Sequence, residues 1–300
     1  MTAVAKKVEN DQNTLEKIKR LTVVSMFSDD ELEEDLVLKG GNAMDIVHRL
    51  SSRASMDLDF SMQHDFAGGV DAFRERVERA LQRTFKPEGY EIFDVKMQEK
   101  PDAISDDMKD FWGGYGVEFK IISSDLYQLH KDDITVLRKN AINIGQGKKF
   151  LIDISRFEYT VGKQETDLDG YRIYVYTTEM IVCEKLRAIC QQLPEYGKII
   201  KRSYPGKARA RDFLDIYVLV EAMKLNLTTP QNQELLTEMF KAKRVPLQYL
   251  GKLREQHSFH QADFASVVAT VKDGLELKSF DYYFDFVLGL VEKLKPLWNK

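Results

Sequence analysis

The sequence feature that most constrains the fold is an alternation of acidic and apolar residues in SMDLDFSM, residues 55–62. Alternate side chains of a strand point to the same face, so Asp57 and Asp59 project together while Leu58 and Phe60 face the other way. Two neighbouring carboxylates repel each other and favour a cation between them. The segment therefore predicts a strand with an apolar core face and a cation-binding face. An ordinary solvated strand is the alternative for an isolated Asp-x-Asp.

A pair of glycines lies upstream of the acidic strand. Gly40 and Gly41 follow a short apolar strand at 35–39 and precede a predicted helix at 42–50. Free N–H groups at a helix N-terminus attract phosphate, and the missing Cβ atoms let it approach the backbone closely. Strand, glycine turn, helix and acidic strand, in this order, predict a phosphate site beside a metal site. The candidate nucleotide-binding residues of this unit are Lys39, Gly40, Gly41, Arg53 and Ser55.

The predicted metal site needs further oxygen ligands. Mg²⁺ is typically bound by a few carboxylates together with waters and substrate phosphates. Asp153, in the apolar segment 149–154, is the first choice for a third carboxylate, because an unpaired carboxylate there would be costly to bury. Glu118, in the segment 116–122, is the alternative by the same argument. The predicted metal ligands are therefore Asp57, Asp59 and Asp153.

Two later segments place charged residues on apolar helices. In TTEMIVCEKLRAIC, Lys185 lies at the edge of an apolar face, where it could reach a triphosphate or simply pair with a glutamate. The segment ARDFLDIYVLVEAM is apolar around its whole circumference and should be buried. Asp212 and Asp215 then need cationic partners, for which Arg211 and Lys185 are the candidates. An internal ion pair that only joins the helices is the alternative to a catalytic role.

The loop between these helices is basic. Residues 198–211 (KIIKRSYPGKARAR) carry six cations, with Tyr196 and Tyr204 nearby. Such a loop could bind RNA phosphates while a tyrosine stacks on a base, although charged loops are more commonly only solvated. The RNA-binding candidates are Lys198, Lys201, Arg202, Lys207 and Arg209.

Composition limits the classes of partner. The net charge of −4 excludes a polycation that binds nucleic acid everywhere, so any such contact requires a local basic patch. No apolar run is long enough for a membrane span, and Cys183 and Cys190 are too far apart on one predicted helix to form a disulfide. We therefore expect a cytoplasmic protein with reduced cysteines and no membrane partner.

The order of elements predicts the architecture. Strands dominate the first part of the chain and helices the second, which predicts an α+β fold with a mixed sheet. We expect a sheet domain at 1–175, a helical domain at 176–300 and the site in the cleft between them. The other predicted elements are helices at 10–28 and 69–84 and strands at 90–97, 116–122, 149–154 and 171–176.

Three of these segments carry a family resemblance. LVLKGGNAMDIVHRLSSRASMDLDF resembles the first motif of the AbiEii-type nucleotidyltransferase toxins, in which a Gly-Gly turn and a helix precede Arg-x-Ser-x-Asp-hydrophobic-Asp-Phe. Asn42 stands where many members have threonine, which keeps a polar cap. Glu-Lys-Leu-x-Ala and Arg-Asp-hydrophobic-x-Asp resemble the later motifs. The matching motifs cover residues 35–62 and 177–220, and the last eighty residues match none of them.

The resemblance implies a nucleotidyltransferase-like core and a specific reaction. These toxins use Mg²⁺ or Mn²⁺ and a nucleoside triphosphate, add nucleotides to the acceptor end of transfer RNA, and are neutralised by a separately encoded antitoxin. It implies a nucleotide-contacting Lys185 and a catalytic or supporting Asp212, with Arg211 and Asp215 as support. Transfer to a protein or a small molecule is one alternative, and a non-catalytic binding protein on the same fold is another. The implied catalytic residues are Asp57, Asp59, Asp153, Lys185 and Asp212.

Overall fold

The computed structural model describes residues 3–50, 57–143, 147–271 and 276–299, with side chains described from residue 13 onward. Within these ranges the chain forms a seven-stranded sheet of order β3-β4-β5-β2-β1-β7-β6. The pairs β1–β7 and β2–β5 are parallel and the other neighbours are antiparallel, so the sheet is mixed, as predicted. The strands are β1 (Leu36–Lys39), β2 (Leu58–Met62), β3 (Tyr90–Lys100), β4 (Gly114–Ser123), β5 (Phe150–Ser155), β6 (Gln164–Leu168) and β7 (Tyr171–Val175).

Long helices cover the apolar face of the sheet. Helix α4 buries residues spaced three or four apart, including Phe73, Val77 and Phe85, so one stripe of the helix faces the core. It packs against α1 and β3, while Phe27 of α1 contacts Phe60 of β2 with ring centroids 6.1 Å apart. The helices of this part are α1 (Ala3–Phe27), α2 (Asp30–Asp35), α3 (Gly40–Asn42), α4 (Gly69–Phe85), α5 (Ser124–His130) and α6 (Ile134–Asn140).

The chain is helical after β7, as the sequence pattern predicts. Helix α7 packs against α9 and α10, and α13 packs against α9. Cys183 and Cys190 are both free and buried in α7. The helices are α7 (Thr178–Cys190), α8 (Pro194–Ile199), α9 (Ala210–Met223), α10 (Pro230–Ala242), α11 (His257–Gln261), α12 (Phe264–Val268), α13 (Phe280–Lys293) and α14 (Lys295–Trp298). Short 3₁₀ helices lie at Lys86–Glu88, Asp106–Met108 and Leu247–Gln256.

One buried hydrophobic cluster runs from the sheet into the helical part. It includes Phe60 of β2 and Phe119 of β4 together with Leu186 of α7 and Phe213 of α9. The predicted division at residue 175 coincides with the end of the last strand, but two separate domains remain a prediction. In the described ranges, no helix is both long enough and apolar enough to cross a bilayer.

The structure differs from the predicted elements at three places. The helix predicted at 42–50 begins at Gly40 and continues as a π-helical turn, Ala43–Val47, before the chain leaves it through Arg49 at a φ of 55°. Strand β6 pairs with β7 at the edge of the sheet and is mostly exposed, so it has no apolar alternation for a sequence pattern to show. Helices α5 and α6 follow β4 in a segment for which the sequence analysis predicts no element.

A buried histidine should make this fold sensitive to acid. His260 is fully buried, accepts a hydrogen bond from the Arg209 N–H, and lies against Phe213. Burial lowers the pKa of His260 to about 4. Because the unfolded chain protonates near 6.5, this group's contribution to stability is intact above that pH and is lost as the pH falls toward 4.

We therefore expect His260→Asn, whose amide oxygen can still accept the hydrogen bond, to flatten the loss of stability in acid. The wild type should lose about 1.4 kcal/mol more per pH unit than the variant between pH 6 and pH 4.5. Urea unfolding at three pH values in this window measures the difference. Equal slopes in both proteins would assign the acid sensitivity to other groups.

Candidate active site

A cleft of about 1280 Å³ separates the polar face of the sheet from the helical part. Most of the candidate residues from the sequence line it, and they come from both parts of the chain. Those of the sheet part are Lys39, Gly40, Gly41, Asp57, Asp59 and Asp153. Those of the helical part are Lys185, Lys201, Arg202, Lys207, Arg209, Arg211 and Asp212. Lys198 is exposed, and Arg53 and Ser55 lie outside the described residues.

Strand pairing aligns the acidic residues across the sheet. Asp59 of β2 is paired with Lys39 of β1 on one side and with Asp153 of β5 on the other. Leu58 and Phe60 point away from the cleft and are at most 1% exposed, as the alternation predicts. Asp57 lies in a bend one residue before β2 and is exposed. Two of the three predicted carboxylates are thus fixed by sheet register, and the third by a loop.

The glycine turn lies directly against the acidic strand. Gly40 has a φ of 68°, and a Cβ atom there would lie 2.5 Å from Oδ2 of Asp59. Nδ2 of the buried Asn42 donates a hydrogen bond of 2.6 Å to the carbonyl oxygen of Asp57. Only glycine at position 40 lets the Asp59 carboxylate approach the turn so closely. Asn42 holds the bend at Asp57 in place.

Two of these carboxyl groups, those of Asp57 and Asp59, have a raised pKa. Burial is the largest cause that raises the pKa of Asp59, which reaches about 7, and the charges of Glu184, Asp153 and Asp57 add to it against the opposing Lys39. The pKa of Asp57 is likewise raised, by partial desolvation of its carboxyl group and by the charge of Asp153. Three acids that share one face in this way are poorly balanced when all are ionised, which is the condition that a bound cation relieves.

The oxygen atoms of Asp57, Asp59 and Asp153 are of the type that binds a divalent cation, because Mg²⁺ and Mn²⁺ prefer carboxylate ligands. As arranged, however, the part of the chain that the structure describes contains no group of three His, Cys, Asp or Glu side chains placed to hold a metal ion. Asp153 instead forms an ion pair with Lys100. The residues therefore fit a divalent cation in ligand type and in strand register, but Asp153 is paired with Lys100.

Glu118, the alternative third carboxylate, lies farther along the sheet. It is opposite Leu151 on β5, two residues from Asp153, and forms a 2.9 Å ion pair with Lys149. It does not line the cleft. Asp153, which lies beside Asp59, is thus better placed than Glu118 to be the third carboxylate. Its role as a ligand stays a prediction.

Lys39 is held in a buried ionic network. Its Nζ donates to Glu184 at 2.8 Å and to Ser155 at 3.1 Å, and lies 3.7 Å from Glu158. Arg187 binds Glu158 through two nitrogens, at 2.6 and 3.1 Å. Lys39 lines the wall of the cleft but is only 6% exposed. Its contact with a nucleotide remains a prediction.

Lys185 joins α7 to α9 through two aspartates. Its Nζ lies 3.0 Å from Asp212 and 2.7 Å from Asp215, and all three side chains are buried. Arg209, rather than the expected Arg211, forms the second ion pair with Asp212. Burial favours the neutral acid, but Arg209 and Lys185 hold the pKa of Asp212 well below its usual range. Asp212 is therefore a permanent anion that keeps Lys185 at the cleft.

Arg211 is the second residue of α9. It lines the cleft, and its charge opposes the rise in the pKa of Asp57. Arg211 is therefore placed near the acidic strand rather than on the core aspartates.

The basic loop forms one wall of the cleft, but its cations are not all available. Lys201 pairs with Asp107 at 2.7 Å, and Arg202 donates to two main-chain oxygens. Tyr204 is 65% exposed and lines the cleft. Tyr196 is fully buried and donates to the Lys243 carbonyl oxygen, so the expectation that it could stack on a base is wrong.

A comparison with protein families identifies the family of the chain. The family model for "Nucleotidyl transferase AbiEii toxin, Type IV TA system" matches residues 22–286. The chain belongs to the AbiEii nucleotidyltransferase toxin family. This toxin is accordingly a nucleotidyltransferase, and membership of a type IV toxin–antitoxin family implies an antitoxin partner.

Solved structures similar to the toxin come from a bacterium and a fungus. A Helicobacter pylori protein provisionally described as a nucleotidyltransferase is 16% identical, with 95% of each chain covered and a TM-score of 0.46. JHP933 from the same organism is also 16% identical, with 97% and 94% covered and a TM-score of 0.46. An antigenic nucleotidyltransferase-like protein from Paracoccidioides brasiliensis is 16% identical, with 75% and 92% covered and a TM-score of 0.32. No curated protein matches the chain.

Several charged residues of the toxin's cleft, among them Lys100, Glu158 and Glu184, escape sequence reasoning. Lys100 reaches Asp153 from a strand two places away in the sheet, which no local pattern shows. Glu158 follows β5 in a loop without periodicity. Glu184 directly precedes Lys185 in the later motif, and this adjacency in the sequence is a signal that could have pointed to it.

Substitution of Gly40 should remove activity more than it removes stability. Gly40→Ala places a methyl group against the Asp59 carboxylate, and we expect a loss of activity of about 100-fold. Gly89→Ala is the matched control, because Gly89 also has a positive φ, of 80°, but has no atom within 4 Å of the added group. Both should lose about 1–3 kcal/mol of stability from backbone strain. Similar activity in the two variants would contradict the close fit.

Neutralising Asp59 should stabilise the metal-free toxin. Because its pKa is raised to about 7, the folded state keeps the proton longer than the unfolded chain, and stability from this group is lost as the pH rises from 4 to 7. We expect Asp59→Asn to raise the free energy of unfolding at pH 8 by roughly 2–4 kcal/mol, with no gain at pH 4. Urea unfolding in EDTA at both pH values checks this. A destabilised variant at pH 8 would show that Asp59 is not under electrostatic strain.

Proposed function

We propose that this toxin transfers a nucleoside monophosphate from a nucleoside triphosphate to a hydroxyl group at the acceptor end of transfer RNA, with Mg²⁺ or Mn²⁺, and thereby stops growth. The observation that carries the proposal is the row of Asp59 and Asp153 on paired strands, with Asp57 beside them, against the Gly40 turn. Carboxylates next to a glycine turn place metal and phosphate ligands within one small volume.

The residues of the cleft divide the work of the reaction. Asp57, Asp59 and Asp153 would hold the divalent ion, which supplies Lewis acid chemistry at the phosphates. N–H groups at Gly40 and Gly41 would donate to phosphate oxygens, and Lys185 would offset their negative charge. The acceptor oxygen then bonds to the α-phosphorus as the bond to pyrophosphate breaks, and the acceptor proton leaves to a carboxylate or water. Fixed charges of this kind supply most of the rate in such reactions.

The size and charge of the cleft favour a large anionic acceptor. Pockets for small ligands measure about 300–1000 Å³, whereas this cleft has about 1280 Å³. Lys207 and Arg211 line it together with the exposed Tyr204. Cations attract the phosphates of an RNA end, and an exposed tyrosine offers a face on which a base can stack. This surface supports RNA over a small-molecule acceptor such as an aminoglycoside.

The proposed setting is the cytoplasm, with a separate antitoxin. Free, buried cysteines such as Cys183 and Cys190 are typical of proteins from reducing compartments. The antitoxin is implied by the family alone.

The acceptor can be tested directly. Incubation of the toxin with total RNA, Mg²⁺ and each α-labelled triphosphate in turn should label a band of transfer RNA size with one or a few nucleotides. Asp59→Asn should abolish the labelling and the growth arrest on expression. Asp132→Asn, an exposed residue between α5 and α6, serves as the control and should keep both.

Two results would reject parts of the proposal. Label that enters only protein or a small molecule would exclude RNA as the acceptor. Growth arrest that survives Asp59→Asn would favour a non-catalytic binding protein on this fold.

A further inference from the structure

A lysine that belongs to none of the family-like motifs lies among the predicted metal ligands. Lys100 is the last residue of β3, and its Nζ forms an ion pair with Oδ1 of Asp153. The two side chains are 48% and 40% exposed, and both line the cleft. The charge of Lys100 also acts on Asp57, opposing the rise of that residue's pKa. The ammonium group therefore occupies an oxygen atom of a predicted metal ligand.

The sheet is built to let this lysine reach Asp153. Strand β4 lies between β3 and β5, and its Gly116 is paired directly with Asp153. A Cβ atom at position 116 would overlap Cε of Lys100 and lie 2.7 Å from its Nζ. The missing side chain at Gly116 thus forms a channel across β4 along which the lysine stem runs. A lysine with its side chain in solvent would not need the space that the missing side chain of Gly116 provides.

Two other lysines beside the carboxylates are fixed, whereas Lys100 is not. Lys39 is 6% exposed and bound by Glu184 and Ser155, and Lys185 is 6% exposed between two aspartates. Lys100 is half exposed on a flexible four-carbon stem, so it can leave Asp153 without exposing a buried charge. An exposed pair of this kind is weak and exchanges readily.

We propose that Lys100 is a displaceable internal cation: it neutralises Asp153 while the site is empty, and it binds a phosphate of the incoming triphosphate once a divalent ion takes Asp153. This inference rests on the proposed function and names a further binding residue of the same site. Lys100 competes with the metal for one ligand and then contributes a charge to the nucleotide.

The two roles predict opposite effects of one substitution. Lys100→Met keeps the stem and removes the charge. Without nucleotide, Mn²⁺ should bind up to about fivefold more tightly, because the competing ion pair is gone. With Mn²⁺ present, non-hydrolysable triphosphate analogues should bind about tenfold more weakly, because a charge-assisted contact is lost. Isothermal titration of the full chain measures both constants, and steady-state labelling should show a raised KM for the triphosphate.

Two variants control the experiment. Lys149→Met removes the matched lysine of the Lys149–Glu118 pair, on the same sheet but outside the cleft, and should change neither constant. Gly116→Ala pushes the Lys100 stem aside while keeping its charge. It should tighten Mn²⁺ binding as Lys100→Met does, but leave nucleotide affinity near that of the wild type. It also provides the test if Lys100→Met does not fold.

The outcomes separate this inference from the proposed function. If the wild type binds neither Mn²⁺ nor a triphosphate, both are overturned. If the wild type binds both and Lys100→Met has the same constants, only the role of Lys100 is overturned. Equal weakening of metal and nucleotide binding would assign Lys100 a purely structural role and overturn the inference as well.

Discussion

The architecture of the cleft depends on one buried carboxylate, that of Glu158. Arg187 of α7 binds it through two nitrogens, and Lys243 and Lys39 approach it to 3.6 and 3.7 Å. These four side chains are at most 6% exposed and join the loop after β5, strand β1, helix α7 and the end of α10. Removal of one partner from such a network leaves an uncompensated buried charge, which typically costs about 3–5 kcal/mol. The network thus fixes the helical wall relative to the acidic strand.

Three lysines offset part of the negative charge of the resulting site even without a metal ion. Lys39 lies beside Asp59 in the sheet register, Lys100 pairs with Asp153, and Lys185 pairs with Asp212. Asp59, Asp153 and Asp212 thus each have an ammonium group nearby. This explains how a chain with so many acids facing one cleft can fold before any substrate binds. The cations differ in burial, and that difference decides which of them can move.

Sequence patterns gave the parts of the site that depend on local periodicity, and missed those that depend on how distant segments meet. The alternation of acidic and apolar residues around Asp59 follows from strand geometry alone. The apolar residues all around α9 predict the burial of Asp212. Of the two predicted partners of Asp212, Lys185 is confirmed, but the other is Arg209 rather than Arg211, because α9 begins at Ala210. Lys100 was missed because its contact requires knowledge that β4 separates β3 from β5. Family resemblance supplied the reaction, which geometry alone would have left open.

The continuous core has a consequence for the order in which the cleft is assembled during synthesis. Phe280 and Phe284 of α13 pack against Phe213 of α9, the helix that carries Asp212. During synthesis the acidic strand leaves the ribosome early, but its opposite wall is incomplete until α13 has emerged. The cleft of a nascent chain is therefore complete only after α13 has been made, so the acidic strand is accessible to a partner before its opposite wall has formed.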